Sequence, residues 1–308
     1  MAVDLACGLK RELVCKDGTT RIQYLHVNKA ALYDFATADQ FELKLLKHYE
    51  SMLERLPTER PGSGLTVGNP LEAIGELSEC ENEFQLIEQV GAIVRTLGGS
   101  QFVYHSLQFD YAKNTSEATH ATYLIDCRPG WMQQYISKAW SLDDPYLAYA
   151  ARNLEPVLTS TLNSDRLNHW FVRGARDHAF VRGLIAPAHF TRKSLLGMLH
   201  VGCSGAAKGQ SETLWKHRLI LQVLSVNILS WQVNKARCDG RAKYDLDNID
   251  VRVMRTYLIR KSVHDVADIT GVTAGTVYAT HFKRINRKMG TDRIALAAEK
   301  AFAEGLLD

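Results

Sequence analysis

Between Glu76 and Val233 the apolar pattern changes period repeatedly, and that order constrains the fold more than any single motif. Leu86, Ile87, Val90, Ile93, Val94 and Leu97 form one stripe of a helix over Glu76–Leu97, stopped by Gly98-Gly99. Gln101–Phe109 and Ala121–Ile125 read as strands, with Asn114-Thr115-Ser116-Glu117 as the turn of a hairpin. Short helices follow over Pro129–Trp140 and Pro145–Asn153, then a second strand pair over Leu184–Phe190 and Leu195–Val201. A long helix, Ser211–Val233, is apolar at Leu214, Trp215, Leu219, Val223, Val226, Leu229 and Val233. The order helix, hairpin, helices, hairpin, helix predicts an α/β domain: an antiparallel sheet with helices on both faces.

A chain of 308 residues is long enough for a second domain. The expected division is an N-terminal extension of unknown role over 1–75, the α/β domain over 76–232, a linker over 233–245 and an all-α domain over 246–308. The extension holds one amphipathic stretch, Phe41–Leu56, and a breaker-rich stretch, Pro57–Gly64. No apolar run approaches the roughly 18 residues of a membrane span, and the first residues lack a signal-peptide core. The expected location is therefore cytoplasmic, without membrane contact. Cys7, Cys15, Cys80, Cys127, Cys203 and Cys238 form no CxxC pair and have no histidine at ligand spacing. No metal and no cofactor is expected.

Charge matters here by location. Arg241–Asp308 holds 12 Lys and Arg against 9 Asp and Glu, which accounts for the whole net charge of +3. Lys283, Arg284, Arg287 and Lys288 put four cations into six positions, a phosphate-sized footprint. Upstream, Ser262-Val263-His264-Asp265 opens a short helix with a capping-box-like pattern. Gly271 suits a left-handed turn position and Thr273 an N-cap. A second helix runs from Ala274 to about Lys288, and Thr291 caps a last helix ending near Gly305. Two short helices about a glycine turn, with cations on the second, predict a helix-turn-helix.

The wording of this tail resembles the C-terminal domain of LuxR-type regulators, with their G-[IV]-[ST]-x-x-T-V turn and later R-K-L-G. Here these are Gly271-Val272-Thr273, Thr276-Val277 and Arg287-Lys288-Met289-Gly290. The resemblance implies DNA contact at Thr273, Gly275, Thr276, Tyr278, Lys283, Arg284, Arg287 and Lys288. This chain departs from the pattern in several places. Arg260-Lys261 replaces a Gly-Lys pair, Asp250 alone matches an early acidic residue, and Tyr278 replaces a lysine. One residue is inserted between Val277 and His281, which turns the downstream face by about 100° unless a bulge absorbs it.

The α/β domain carries the same family's ligand pattern, W-x3-Y-x8-D-P, as Trp131, Tyr135 and Asp144-Pro145, and its G-[IL]-x-x-P as Gly183–Pro187. The resemblance implies a pocket for a small acylated signal of the N-acyl homoserine lactone type. An indole only donates, a carboxylate only accepts and a phenol can donate. Trp131 is thus expected on the lactone carbonyl, Asp144 on the amide N–H and Tyr135 on the acyl carbonyl. Cys127 stands where the family often has Tyr, and Thr159 where it often has Trp. The same residues also admit plain structural roles: Trp131 and Tyr135 as core at i,i+4, and Asp144 as the N-cap before Pro145.

The resemblance therefore implies a homodimeric, ligand-responsive transcription regulator, not an enzyme. Its dimer contacts would come from the helices over Ser211–Val233 and Thr291–Leu307. One alternative is a modulator that pairs with related subunits without recognising an operator. The other is an acyl-lactone hydrolase using Asp144 with His169 or His178, although no nucleophile, metal or phosphate motif accompanies those residues.

Overall fold

The computed structural model describes residues 8–14, 20–27, 66–109, 118–127, 144–162, 169–190, 195–203 and 209–307, with Trp131, Met132, Gln134, Tyr135 and Trp140 between them. The chain divides into two compact units, Met1–Leu229 and Ser230–Asp308. The stretches Phe41–Leu56 and Pro57–Gly64 lie outside the described residues.

The first unit is built on one sheet. Its strands are β1 (Gly8–Val14), β2 (Thr20–Val27), β3 (Gln101–Phe109), β4 (Ala118–Asp126), β5 (Val157–Leu158), β6 (Arg182–Phe190) and β7 (Leu195–Cys203), in the order β1-β2-β4-β3-β7-β6-β5. From β4 to β5 every pairing is antiparallel, as the two predicted hairpins require. The N-terminal hairpin was not anticipated. β1 pairs antiparallel with β2, and β2 then joins β4 in parallel, from Ile22 beside His120 to Val27 beside Ile125. β1 and β2 thus extend the sheet.

Around it lie α1 (Pro70–Gly75), α2 (Glu83–Thr96), α3 (Pro145–Ala150), α4 (Thr159–Leu162), α5 (His169–Asp177), α6 (Gln210–Lys216) and α7 (Arg218–Lys243). Both faces of the sheet are covered. Side chains alternate along a strand, so Val103, Leu107, Tyr123, Ile125, Ile185, Leu196 and Met198 share one core cluster with Trp131, Tyr135, Trp140, Tyr146 and Phe171. On the opposite face Tyr104 Oη donates to the Ser225 carbonyl of α7 (2.9 Å), and Ser225 Oγ donates to the Ala186 carbonyl of β6 (2.7 Å).

Two predicted helices are interrupted. Glu76–Glu79 forms a 3-10 turn, and α2 starts afresh because Asn82 Oδ1 accepts from the Phe84 and Gln85 amides, both at 3.1 Å. The helix expected over Ser211–Val233 is split at His217, and α7 continues through the polar stretch read as a linker. Residues 234–243 contain no proline, and Lys235 pairs with Asp239 one turn on at 2.6 Å, so nothing local stops the helix.

The second unit is helical, with α8 (Asn248–Arg260), α9 (Val263–Thr270), α10 (Ala274–Thr276), a π-helical stretch (Val277–Phe282), α11 (Lys283–Met289) and α12 (Ile294–Ala303). Asp247 and Asp250 form a reciprocal capping box at the start of α8. Val253, Met254, Val266, Val277, Ile285, Met289, Ala297, Leu306 and Leu307 are buried in one core. The cap expected at Thr291 is not formed: α12 begins at Ile294 with no side-chain cap, and Thr291 Oγ1 instead donates to the Arg293 carbonyl at 3.5 Å. Among the described residues no helix is long and apolar enough to cross a membrane.

Candidate functional site

Asp144 ties the inner cluster of the first unit together. Its Oδ1 accepts from the Tyr146 and Leu147 amides at 2.7 and 3.3 Å, capping α3, while Oδ2 accepts from Tyr135 Oη at 2.7 Å. The side chain is therefore both the helix cap and the partner of the phenol, and it is 3% exposed. Burial lifts its pKa to about 6, against the pull of those three hydrogen bonds. Burial, and then the Asp144 charge, push the Tyr135 phenol well above its ordinary range.

Trp131 packs at 5.4 to 6.1 Å from the rings of Tyr135, Trp140, Phe171, Phe180 and His178. Its Nε1 is buried and has no hydrogen-bond partner among the described residues. Cys127 lies in the same cluster, its thiol raised by burial and then by Asp126. Thr159 is buried at the start of α4, and its Oγ1 donates to the Gly183 carbonyl at 3.3 Å. Gly183 allows this close approach, since a Cβ there would sit 2.5 Å from the Val201 carbonyl and 3.2 Å from both Thr159 Cγ2 and His200 Nε2. All six expected residues thus converge on one buried region.

The structure adds residues that the sequence reading missed. His105 on β3 is 2% exposed and meets Tyr123 and Tyr135 edge-on at 5.3 and 5.2 Å. Its Nδ1 has no partner among the described residues. His200 on β7 packs against Phe180 and Tyr146 at 4.4 and 5.0 Å. Burial lowers both histidines to about 3, with His105 adding to the effect on His200, so both rings are neutral. The signal lay in the strand alternation, which puts His105 between Val103 and Leu107 on the inward face. The hydrolase pairing gains nothing from this geometry, because Asp144 gives its oxygens to Tyr135 and the α3 amides. Among the described residues no cluster of metal-ligating side chains occurs.

In the second unit, Ser262 Oγ accepts from the Asp265 amide (3.3 Å), Gly271 takes φ +70°, and Thr273 Oγ1 accepts from the Thr276 amide (3.2 Å). The inserted residue is absorbed in the π-helical stretch. Val277 and Phe282 are both buried five positions apart, and Ile285 and Met289 follow at ordinary α spacing. One widened turn therefore restores the inner face.

That face also divides the basic cluster. Arg284 donates to Asp250 Oδ1 from Nε (3.0 Å) and Nη2 (2.6 Å), and its Nη2 lies 3.3 Å from Asp247. Lys288 donates to Asp250 Oδ2 at 2.9 Å and lies 3.3 Å from the Asp245 carboxylate. Asp250 is fully buried, and its bond holds the Lys288 ammonium above the ordinary range. Arg284 and Lys288, both expected at DNA, thus make ion pairs within the domain. Thr273, Gly275, Thr276, Tyr278, Lys283 and Arg287 are exposed. Tyr278, Lys283, Arg287 and Arg293 line an open cleft of about 600 Å³.

Residues 82–230 match the family model of the autoinducer binding domain. That stretch, just under half of the chain, is similar to a domain class named for binding a small signal. No curated protein sequence matches the chain. Among solved structures, Escherichia coli SdiA is similar at 16% identity and TM-score 0.49, over 78% of this chain and 98% of that one. SdiA in complex with octanoyl-rac-glycerol gives 15% and 0.48, over 77% and 95%. CepR2 of Burkholderia cenocepacia, described as an N-acylhomoserine lactone dependent LuxR family transcription factor, gives 15% and 0.44, over 53% and 92%.

Proposed function

We propose that the chain is a cytoplasmic, homodimeric transcription regulator that binds a small acylated signal in its first unit and DNA through its second. The observation that carries this reading is Trp131 Nε1, without a partner among the described residues and buried in the same aromatic cluster as the Tyr135–Asp144 pair, in a segment matching the autoinducer binding domain. A buried donor without an acceptor is costly, and a ligand carbonyl would satisfy it. An N-acyl homoserine lactone supplies that carbonyl, an amide N–H for Asp144 and an acyl carbonyl for Tyr135 once the phenol leaves the carboxylate. Cys127, Thr159 and Gly183 would shape the wall around it.

Dimerisation is supported by exposed apolar side chains at helical spacing, Leu219, Val223 and Val226 on α7, with Trp215 one turn earlier on α6. DNA contact would fall to Thr273, Gly275, Thr276 and Tyr278 at the start of the recognition helix and to the exposed cations Lys283 and Arg287. Expressing the full chain with a panel of acyl lactones, then extracting bound ligand for mass spectrometry, tests the sensor reading. Recovery of a stoichiometric acyl lactone supports it, and ligand-free protein from every culture overturns it. The commitment of Arg284 and Lys288 to Asp250 favours a second reading, a dimerising modulator with little operator affinity of its own. Equal binding to promoter and scrambled DNA at saturating ligand would select that reading.

A further inference from the structure

We propose that His105 is a specificity-determining residue: its imidazole pairs with an oxygen substituent, hydroxyl or keto, on the signal's acyl chain close to the amide. The inference deepens the acyl-amide reading above and rests on it. His105 sits mid-strand on β3, between Val103 and Leu107, which both belong to the cluster around Trp131 and Tyr135. Tyr123 and Tyr135 contact its ring edge-on, and Tyr135 already donates to Asp144. His200, itself neutral, is a second buried imidazole in the region and feels the presence of His105. The Nδ1 of His105 is left buried without a partner among the described residues.

An apolar side chain would fill this inward strand position without leaving a polar atom unsatisfied, so the nitrogen calls for a ligand group. A neutral imidazole has one donor and one acceptor nitrogen. A hydroxyl can satisfy Nδ1 in either tautomer, and a keto oxygen satisfies it when Nδ1 carries the proton. Reach sets the position of the substituent. The His105 ring centre is 5.2 Å from that of Tyr135, whose phenol is one of the two amide anchors, so the substituent belongs within the first carbons beyond the amide. A group at the far end of the chain would miss it.

The test is calorimetric titration of the full chain with N-octanoyl, N-3-oxooctanoyl and N-3-hydroxyoctanoyl homoserine lactone, for the wild type and for His105→Phe and His105→Gln. The wild type is expected to prefer an oxygenated chain by about five- to tenfold, the worth of one buried hydrogen bond. His105→Phe should bind all three alike, with the plain octanoyl lactone bound at least as well as by the wild type. His105→Gln keeps a hydrogen-bonding group and should retain part of the preference, which also covers the case of a Phe variant that fails to fold. Wild-type binding without preference, or a preference that survives in a folded Phe variant, overturns the assignment and leaves the acyl-lactone reading intact. Binding of none of the three lactones by folded wild type overturns that reading, and the assignment with it.

Discussion

Arg284 grips Asp250 with two nitrogens, at 3.0 and 2.6 Å, and Lys288, one turn further along α11, takes the other oxygen of the same buried carboxylate at 2.9 Å. Cations four positions apart share a helix face, so Lys283 and Arg287 share the other, exposed face. Asp250→Asn should therefore destabilise the second unit by about 2–3 kcal/mol. That is below the usual cost of breaking a buried pair, because both cations still reach solvent. Urea unfolding followed by circular dichroism checks this, and an unchanged midpoint would show the cluster to be ornamental.

The same division separates two effects on DNA binding. Neutralising Arg287 or Lys283 should weaken binding to all sequences and lower the salt slope of log K by about 0.9 per contact, with stability unchanged. Arg284→Ala should cost stability and leave the slope near its wild-type value. Salt titrations of the variants decide it, and a slope change for Arg284→Ala as large as that for Arg287→Ala contradicts the structural assignment.

Asp144→Asn should abolish signal response while the domain stays folded. Asparagine caps a helix nearly as well as aspartate, so α3 keeps its start. The charge-assisted bond to an amide N–H is lost, worth about 1.5–3 kcal/mol of ligand affinity. A reporter titration indistinguishable from wild type would reduce Asp144 to its capping role.

Acid should loosen the first unit. His105 and His200 titrate near 3 when folded, while an unfolded histidine titrates near about 6.5. Their contribution is full above about 6.5 and is lost as pH falls toward 3. Asp144 runs oppositely: its folded value of about 6 exceeds the ordinary 3.8, so its contribution is present below about 4 and lost as pH rises through 6. Asp126, also raised by burial, runs with Asp144 but by a smaller shift, so the two histidines still give a net loss of stability as pH falls from about 6 to 4. Unfolding midpoints at pH 7, 6 and 5 should fall in that order, and replacing both histidines by Phe should flatten or reverse the trend. A wild-type midpoint that does not move would show that the two rings are not held neutral.

Much of this was legible in advance. Both predicted hairpins lie within a few residues of their apolar runs, and Gly271 and Thr273 occupy the turn and cap positions that their chemistry favours. The N-terminal hairpin was not seen, because β2 pairs with β4 in parallel across more than ninety residues and no local periodicity reports such a partner. Asp17-Gly18, a favoured hairpin-turn dipeptide, was the available signal. The division of the basic cluster was not legible for a related reason: composition counts cations, and only the fold shows that two of the four face Asp250.

That hairpin also changes what truncation should do. A chain beginning at Leu71 would bare the β4 edge along His120–Ile125, where β2 pairs. Faster amide exchange at those residues and a greater tendency to aggregate are expected relative to the full chain. Unaltered exchange would mean that the edge gains nothing from β2.

The widened turn over Val277–Phe282 has a consequence for comparing this chain with others. It works like a leap day: one surplus unit is taken in at a fixed place, and everything after it keeps its season. Aligned without a gap, positions beyond Val277 would all be read one place out of phase. Lys283 would then be read in the place of Arg284, and Arg287 in that of Lys288. Side chains that face outward would be taken on paper for those that brace the domain, while the molecule keeps them apart.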